Sequence, residues 1–250
     1  MNLSPSELER YTRQMLIPNF GEEGQSKLKA STVVVAGVGG LGCLSSLYLA
    51  AAGIGKIVLI DKDRYKISDL NRQILCWQSD LGRLKAEVAK EKLKALNPEI
   101  DVEARVAEIT RDGVSEVVGD ADCVVDGMDN WRTRFIVNEH CVKKGKPFIH
   151  AGVSALHGQM FTVMPGKGPC LRCVFSKEPA EVKVIPVLGA IPALLASLQV
   201  LEVVKLITGI GTLLVGRMLF TDAEEMTFET VKIERNLNCP VCGQIKKKSP

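Results

Sequence analysis

The sequence predicts an α/β protein: a doubly wound, mainly parallel sheet that continues into antiparallel strands. Three observations predict it. Residues 32–36 are a β-branched run, Thr-Val-Val-Val-Ala, the mark of a strand buried on both faces. Gly37-Val38-Gly39-Gly40-Leu41-Gly42 follows directly, then a helix of small and apolar residues from Cys43 to Ala52 and a second strand, Lys56 to Ile60, that ends in Asp61. Strand–helix alternation fills residues 31–153, whereas the last third of the chain alternates as antiparallel strands.

The glycine run sits in the context that gives a Gly-x-Gly-x-x-Gly fingerprint its meaning, between a strand and a helix. Gly37 allows a tight turn, Gly39 lets backbone approach a phosphate, and Gly42 lets helix pack on strand. The helix N-terminus offers unpaired N–H groups and partial positive charge to that phosphate. Asp61, nineteen residues after Gly42, is placed to accept hydrogen bonds from a ribose hydroxyl. The fingerprint leaves NAD, FAD and ATP open.

Before this unit, residues 5–29 read as helix, capped by Ser4 or Ser6, that loosens to loop around Gly21 and Gly24. After it, residues 62–83 are polar and aperiodic, a loop over the carboxyl ends of the strands, where such sheets bind ligands. An amphipathic helix follows over 84–96, stopped by Asn97-Pro98. Residues 101–106 and 122–126 read as strands, 131–144 as a helix, and 147–153 and 158–164 as strands. Residues 166–186 are irregular, 190–207 form an apolar helix with Pro192 in its first turn, and 213–220 and 226–233 pair as antiparallel strands. The reading gives one domain of 250 residues: a helical arm over 1–30, a nucleotide-binding core over 31–153, and a carrier-binding, metal-stapled part over 154–250.

Composition narrows the function. The chain is 46% hydrophobic, enough for a large core, and its net charge is +3. The cations are scattered apart from Lys246-Lys247-Lys248, which reads as a solvated terminus rather than a nucleic-acid patch. Residues 1–10 are polar with two glutamates, unlike a secretion signal. The apolar stretch 186–207 contains Gln199, Glu202 and Lys205, so it reads as a buried or interface helix rather than a membrane span. Eight cysteines without a leader predict a reducing cytoplasm, and metal or catalysis rather than disulfides.

Two constellations carry chemistry. Cys170-x-x-Cys173 and Cys239-x-x-Cys242 are paired knuckles with 65 residues between them, the pattern of a closed four-thiolate zinc site that would staple the tail to the body. A redox pair is the competing reading. Of the other cysteines, Cys43, Cys123 and Cys141 read as core, and Cys76, in the loop region, is the candidate for exposure. The second constellation is Arg72, Lys85 and Asp129. Two cations facing a glycine turn suit a polyphosphate, and a carboxylate at a strand end suits Mg²⁺ beside phosphate oxygens. A dinucleotide oxidoreductase has no use for that set. His140, His150 and His157 are too scattered for a metal cluster and read as structural.

Arg10-Tyr11-Thr12-Arg13-Gln14, the 37–42 fingerprint, Asp61, Asp69-Leu70-Asn71-Arg72-Gln73, Lys85, Gly127-Met128-Asp129-Asn130 and the two knuckles fall in a known order. In this the chain resembles the MoeB/ThiF/HesA adenylyltransferases, relatives of the ubiquitin-activating enzymes, over nearly its whole length. The resemblance implies an enzyme that binds Mg-ATP and adenylates the C-terminal glycine carboxylate of a ubiquitin-like sulfur carrier protein ending in Gly-Gly. It also implies a homodimer and a place in molybdopterin or thiamine biosynthesis. By resemblance, Gly37, Gly39, Gly40 and Gly42 line the nucleotide pocket and Asp61 holds the ribose. Ser68, Asp69 and Asn71 belong to the nucleotide-binding stretch, Arg72 and Lys85 contact the triphosphate, Asp129 holds Mg²⁺, and Asn130 lies beside the nucleotide. Arg13 is expected to reach into the partner subunit's site.

Two departures stand out. Asp69 occupies a place where the family usually has asparagine, and residues 178–188 hold no cysteine before Val187-Leu188-Gly189, which argues against a covalent sulfur step there. A tRNA-directed relative, an NAD-dependent oxidoreductase and an inactive scaffold for a ubiquitin-like protein are the alternatives.

Overall fold

The computed structural model describes residues 2–180 and 184–244. Part of the 178–188 segment and the Lys246–248 run therefore lie outside the described residues. Three short helices form the arm: α1 (Pro5–Arg10), α2 (Thr12–Met15) and α3 (Gly21–Lys29). Ser4 caps α1, its hydroxyl accepting from Glu7 N–H while the Glu7 carboxylate accepts from Ser4 N–H. Gly21 and Gly24 belong to α3, against the expectation of a loop. A Cβ on Gly24 would stand 3.1 Å from the Phe20 ring, so this glycine serves close packing within a helix.

The body follows as β1 (Thr32–Ala36), α4 (Gly40–Ala52), β2 (Lys56–Ile60), α5 (Lys85–Leu96), β3 (Asp101–Arg105), α6 (Val114–Val118), β4 (Cys123–Asp126), α7 (Trp131–Lys144) and β5 (Phe148–Ser154). It continues through β6 (His157–Val163), α8 (Leu171–Val174), α9 (Ala190–Thr208), β7 (Arg217–Asp222) and β8 (Thr227–Lys232). One sheet orders these strands β3-β2-β1-β4-β5-β6-β7-β8. The first five are parallel, and β6 to β8 are antiparallel. The mainly parallel sheet with an antiparallel extension is thus present. The helix α6 was not foreseen, and α8 makes one turn inside the segment read as irregular.

The strands sort their side chains strictly by alternation. Val33, Val35, Ile57, Leu59, Cys123, Val125, Ile149 and Met160 face one core with α3, α4, α5 and α9. Val34, Ala36, Val58, Ile60, Val124, Phe148 and Phe161 face the other, with α6, α7, α8 and the knuckle cysteines. A slip of one residue would exchange the two faces, so burial on both sides fixes the register.

α9 is long and apolar enough to cross a membrane by composition and length. In the fold it packs on α4, β5 and β6, and it buries Ile191, Leu195, Ala196, Val200 and Val203. Two of its buried polar side chains, Gln199 and Glu202, tie it to its surroundings. Gln199 donates to the carbonyls of Asp126 (2.9 Å) and Ile149 (3.0 Å) and accepts from Ser45. The Glu202 carboxylate accepts from Thr162 Oγ1 at 2.6 Å and from Leu214 N–H at 2.8 Å.

Candidate functional site

Order in this sheet reverses at β1: the chain runs from β1 outward to β2 and β3, then crosses to β4 on the opposite side. Loops leaving β1 and β4 at their carboxyl ends diverge and open a crevice there. The crevice is a cleft of about 440 Å³, within the range of small-molecule sites. Gly37, Gly39 and Gly40 line it from β1, Asp61 from β2, Asp129 and Asn130 from β4, and Arg72 and Lys85 from the loop and helix beyond β2. These are eight of the residues singled out from the sequence.

The glycine turn has steric causes. Gly37 adopts φ +90°, in the left-handed region. A Cβ on Gly42 would lie 1.9 Å from the Gly37 carbonyl oxygen, so only glycine lets α4 begin this close to β1. The turn aims the α4 N-terminus, capped by Gly39, into the cleft. Asp61 accepts from Val38 N–H and Asp63 N–H, both at 2.8 Å. Burial nonetheless pushes its carboxyl above the usual carboxylate range. Such a half-dry carboxylate is a strong acceptor for a sugar hydroxyl.

Asp129 is exposed and makes no ion pair among the described residues. Asn130 holds it: the Asn130 Oδ1 caps α7 by accepting from Thr133 N–H at 2.9 Å, and its Nδ2 donates to Asp129 at 3.3 Å. A cap of this kind contributes about 1 kcal/mol. The unpaired carboxylate fits Mg²⁺, which takes one or two carboxylates and completes its shell with phosphate and water oxygens.

Four of the residues expected to bind the nucleotide within this chain lie outside the cleft lining: Gly42, Ser68, Asp69 and Asn71. Gly42 works through packing. Ser68 and Asn71 are exposed and act on Arg72, whose guanidinium donates to the Ser68 carbonyl (2.8 Å) and to Asn71 Oδ1 (3.0 Å). Asp69 is buried behind the cations rather than among them. Arg13 is exposed on α2 and does not line this chain's own cleft.

Among the lining residues to which the sequence reading gave no role are Gln73 and Arg134. Arg134 is buried with its Nε 3.1 Å from Asp126 Oδ2, and its Nη2 donates to the carbonyls of Met128 (2.5 Å) and Ala151 (3.2 Å). His150 completes the cluster, with Nδ1 2.7 Å from the same Asp126 oxygen. Asp126 Oδ1 also accepts from Met128 N–H at 3.0 Å. This buried group clamps the 127–129 turn from below. An arginine one helical turn past Asn130 was the available signal.

Cys76 is buried beside Tyr65 and Val88, not exposed, and burial raises its thiol pKa, so it is no reactive cysteine. The four knuckle sulfurs, by contrast, all lie within 4.8 Å of one another. Three of their separations are 3.3, 3.6 and 3.9 Å. Tetrahedral zinc with bonds of about 2.3 Å sets sulfurs roughly 3.8 Å apart, so the cluster fits a closed structural site. The Cys170–Cys173 hydrogen bond lowers the Cys173 pKa and raises that of Cys170.

The ThiF family model matches residues 11–241. The heterocyst HesA protein of Trichormus variabilis is 41% identical over 244 residues, covering 97% of this chain and 91% of that protein. The sulfur carrier protein adenylyltransferase of Thermus thermophilus is 41% identical over 253 residues, covering 97% and 93%. The SAMP-activating enzyme E1 of Haloferax volcanii is 41% identical over 250 residues, covering 98% and 92%. Among solved structures, Escherichia coli MccB with MccA-N7isoASN superposes with a TM-score of 0.87 at 28% identity, covering 97% of this chain and 76% of that one. MccB with ATP gives 0.82 at 29% identity, covering 94% and 74%. With the family model matched over residues 11–241 and these relatives aligned over nearly its whole length, the chain is a member of the ThiF family and an adenylyltransferase.

Proposed function

We propose that the chain binds Mg-ATP in the cleft and transfers AMP to the C-terminal glycine carboxylate of a ubiquitin-like sulfur carrier protein. A carboxylate oxygen bonds to the α-phosphorus, the α–β anhydride bond breaks, and pyrophosphate leaves. The observation that carries the reading is the convergence of a glycine turn, Asp61, Arg72, Lys85 and Asp129 on one cleft. The obstacle in this reaction is charge, since an anionic nucleophile must approach a polyanion. Arg72 and Lys85 offset that repulsion at the phosphates, and Asp129 is the residue that holds Mg²⁺, which adds further neutralisation when bound. No general base is required, because a glycine carboxylate is ionised at neutral pH. Catalysis is positioning plus electrostatics.

The relatives named for sulfur carrier and SAMP activation support a carrier of this kind, and MccB with a peptide partner supports a polypeptide substrate. We place the enzyme in the cytoplasm as a homodimer acting in sulfur delivery for molybdopterin or thiamine, with sulfur supplied by another protein. The buried free thiols fit a reducing compartment. ATP–pyrophosphate exchange that depends on a small protein ending in Gly-Gly tests the reading. Asp129→Ala should fold normally and lower exchange about a hundredfold, the scale of losing a major electrostatic stabiliser. Exchange at the wild-type rate in that variant at saturating Mg²⁺ would remove Asp129 from its role.

A further inference from the structure

Behind Arg72 and Lys85, two of the cations that line the cleft, stands a buried carboxylate that the adenylation chemistry does not call for. Asp69 is 6% exposed and sits at the end of a single-turn 3₁₀ helix, Ile67–Asp69. Its Oδ2 accepts from Lys66 N–H at 3.0 Å and lies 3.7 Å from Lys85 Nζ. Its Oδ1 accepts from Gln73 Nε2 at 3.0 Å and lies 3.4 Å from Arg72 Nη2. One carboxylate thus touches three of the polar side chains that line the cleft: Arg72, Gln73 and Lys85.

Two consequences follow. The first is orientation: an ionised carboxylate only accepts, so Asp69 forces the Gln73 amide to present its nitrogen inward. The Gln73 Oε1 is left without a partner although the side chain is only 3% exposed. The second is charge. Arg72 and Lys85 bring two positive charges to the phosphate subsite, and Asp69 cancels one of them from within ion-pair distance of both. At an effective dielectric constant of about 20, a unit charge several ångströms from a polyanion is worth a tenfold change in affinity or more.

We propose that Asp69 is a positioning residue that sets the phosphate subsite to low net charge, so that the pyrophosphate product is held weakly and leaves. The inference rests on the cleft being a polyphosphate site. Its sign separates it from a purely structural role. A residue that merely props up the loop weakens phosphate binding when it is lost, whereas removal of a countercharge tightens it.

Asp69→Asn is the direct test. Asparagine keeps the shape and one acceptor for Lys66 N–H, and a reversed Gln73 amide turns its unpartnered Oε1 toward the new Nδ2. Titration calorimetry with inorganic pyrophosphate should show about tenfold tighter binding or more, and the gain should shrink at about 1 M salt, where screening acts within ~3 Å. In turnover the KM for ATP should fall and kcat should fall with it, as release becomes slow. Asp69→Ser removes the same charge and leaves room for water, so it must shift pyrophosphate binding in the same direction if asparagine is not tolerated. Equal or weaker pyrophosphate binding in a variant that melts like the wild type overturns the proposal. Failure of the wild type to bind either ATP or pyrophosphate overturns the polyphosphate reading of the cleft, and this inference with it.

Discussion

Asp126 is the most enclosed charge in the molecule's active half, and its neighbours show how a single residue couples stability to the site. His150 Nδ1 and Arg134 Nε converge on it, with aromatic rings from Trp131, Phe148, Phe161 and Phe175 around the imidazole. Burial lowers the His150 pKa, more than the Asp126 contact raises it. An unfolded histidine titrates near about 6.5. Below that pH the unfolded chain binds a proton that folded His150 refuses, so stability falls as pH drops from 7. The slope approaches about 1.4 kcal/mol per pH unit for one proton. His150→Asn keeps a donor near the Nδ1 position, lowers stability overall, and should flatten urea midpoints between pH 7 and 5.5. Parallel profiles for the two proteins would show that His150 is not the group responsible. None of this was legible beforehand: nothing in the local pattern tells that Asp126, Arg134 and His150 meet. By contrast, Gly37, Asp61 and Asp129 could be read because each depends on its place at a strand end, which is a local signal. Cys76 misled for the same reason that Asp126 was silent. Its burial comes from α5 folding over the loop, a long-range event.

Elements divide along the same line. The strands, α4, α7 and α9 were legible because alternation and helical spacing are written in consecutive residues. α6 was missed because Val114–Val118 is five residues long, too short for a helical period to show. Gly21 and Gly24 hid α3, since glycine argues against helix locally while close packing on Phe20 demands it. The knuckles are an element-scale device of another kind. α8 carries Cys173, Cys170 stands at its N-cap, and the second knuckle returns from beyond β8 to meet them. Asn138 on α7 fixes this end by accepting from Leu171 N–H at 2.9 Å. One Zn²⁺ per chain is expected by elemental analysis after purification under reducing conditions. Such sites bind with about 10 kcal/mol or more. Removing the metal with a chelator should therefore raise hydrogen exchange in residues 165–180 and 234–244 together. A metal-free preparation with native exchange in both segments would refute a structural zinc.

Across the whole molecule, α9 links the two questions of stability and assembly. Its inner face is core, yet Leu201 is 56% exposed on its outer side, and Tyr48 of the neighbouring α4 is 51% exposed. Leu16 and Ile17, just beyond Arg13, add further exposed apolar surface at 77% and 48%. Exposed apolar groups such as these suit a contact surface, and in the proposed homodimer a second copy of the chain would cover them. The arm is held rigidly enough to aim Arg13 outward. Tyr11 is buried and its hydroxyl accepts from Asn97 at 2.8 Å, while Gln14 donates to the Ala52 carbonyl at 2.9 Å. Because Arg13 does not line its own cleft, a catalytic Arg13 has to act on the partner's nucleotide, as arginines supplied in trans do in other phosphoryl-transfer enzymes. Mixed dimers decide it. Arg13→Ala chains and Asp129→Ala chains should each be nearly inactive alone. If Arg13 acts in trans, a mixed dimer concentrates both lesions in one site and leaves the other intact. Purified mixed dimers should then recover about half of the wild-type rate, as expected for one preassembled electrostatic site of two. If Arg13 served its own chain, both sites would stay damaged and mixing would restore nothing.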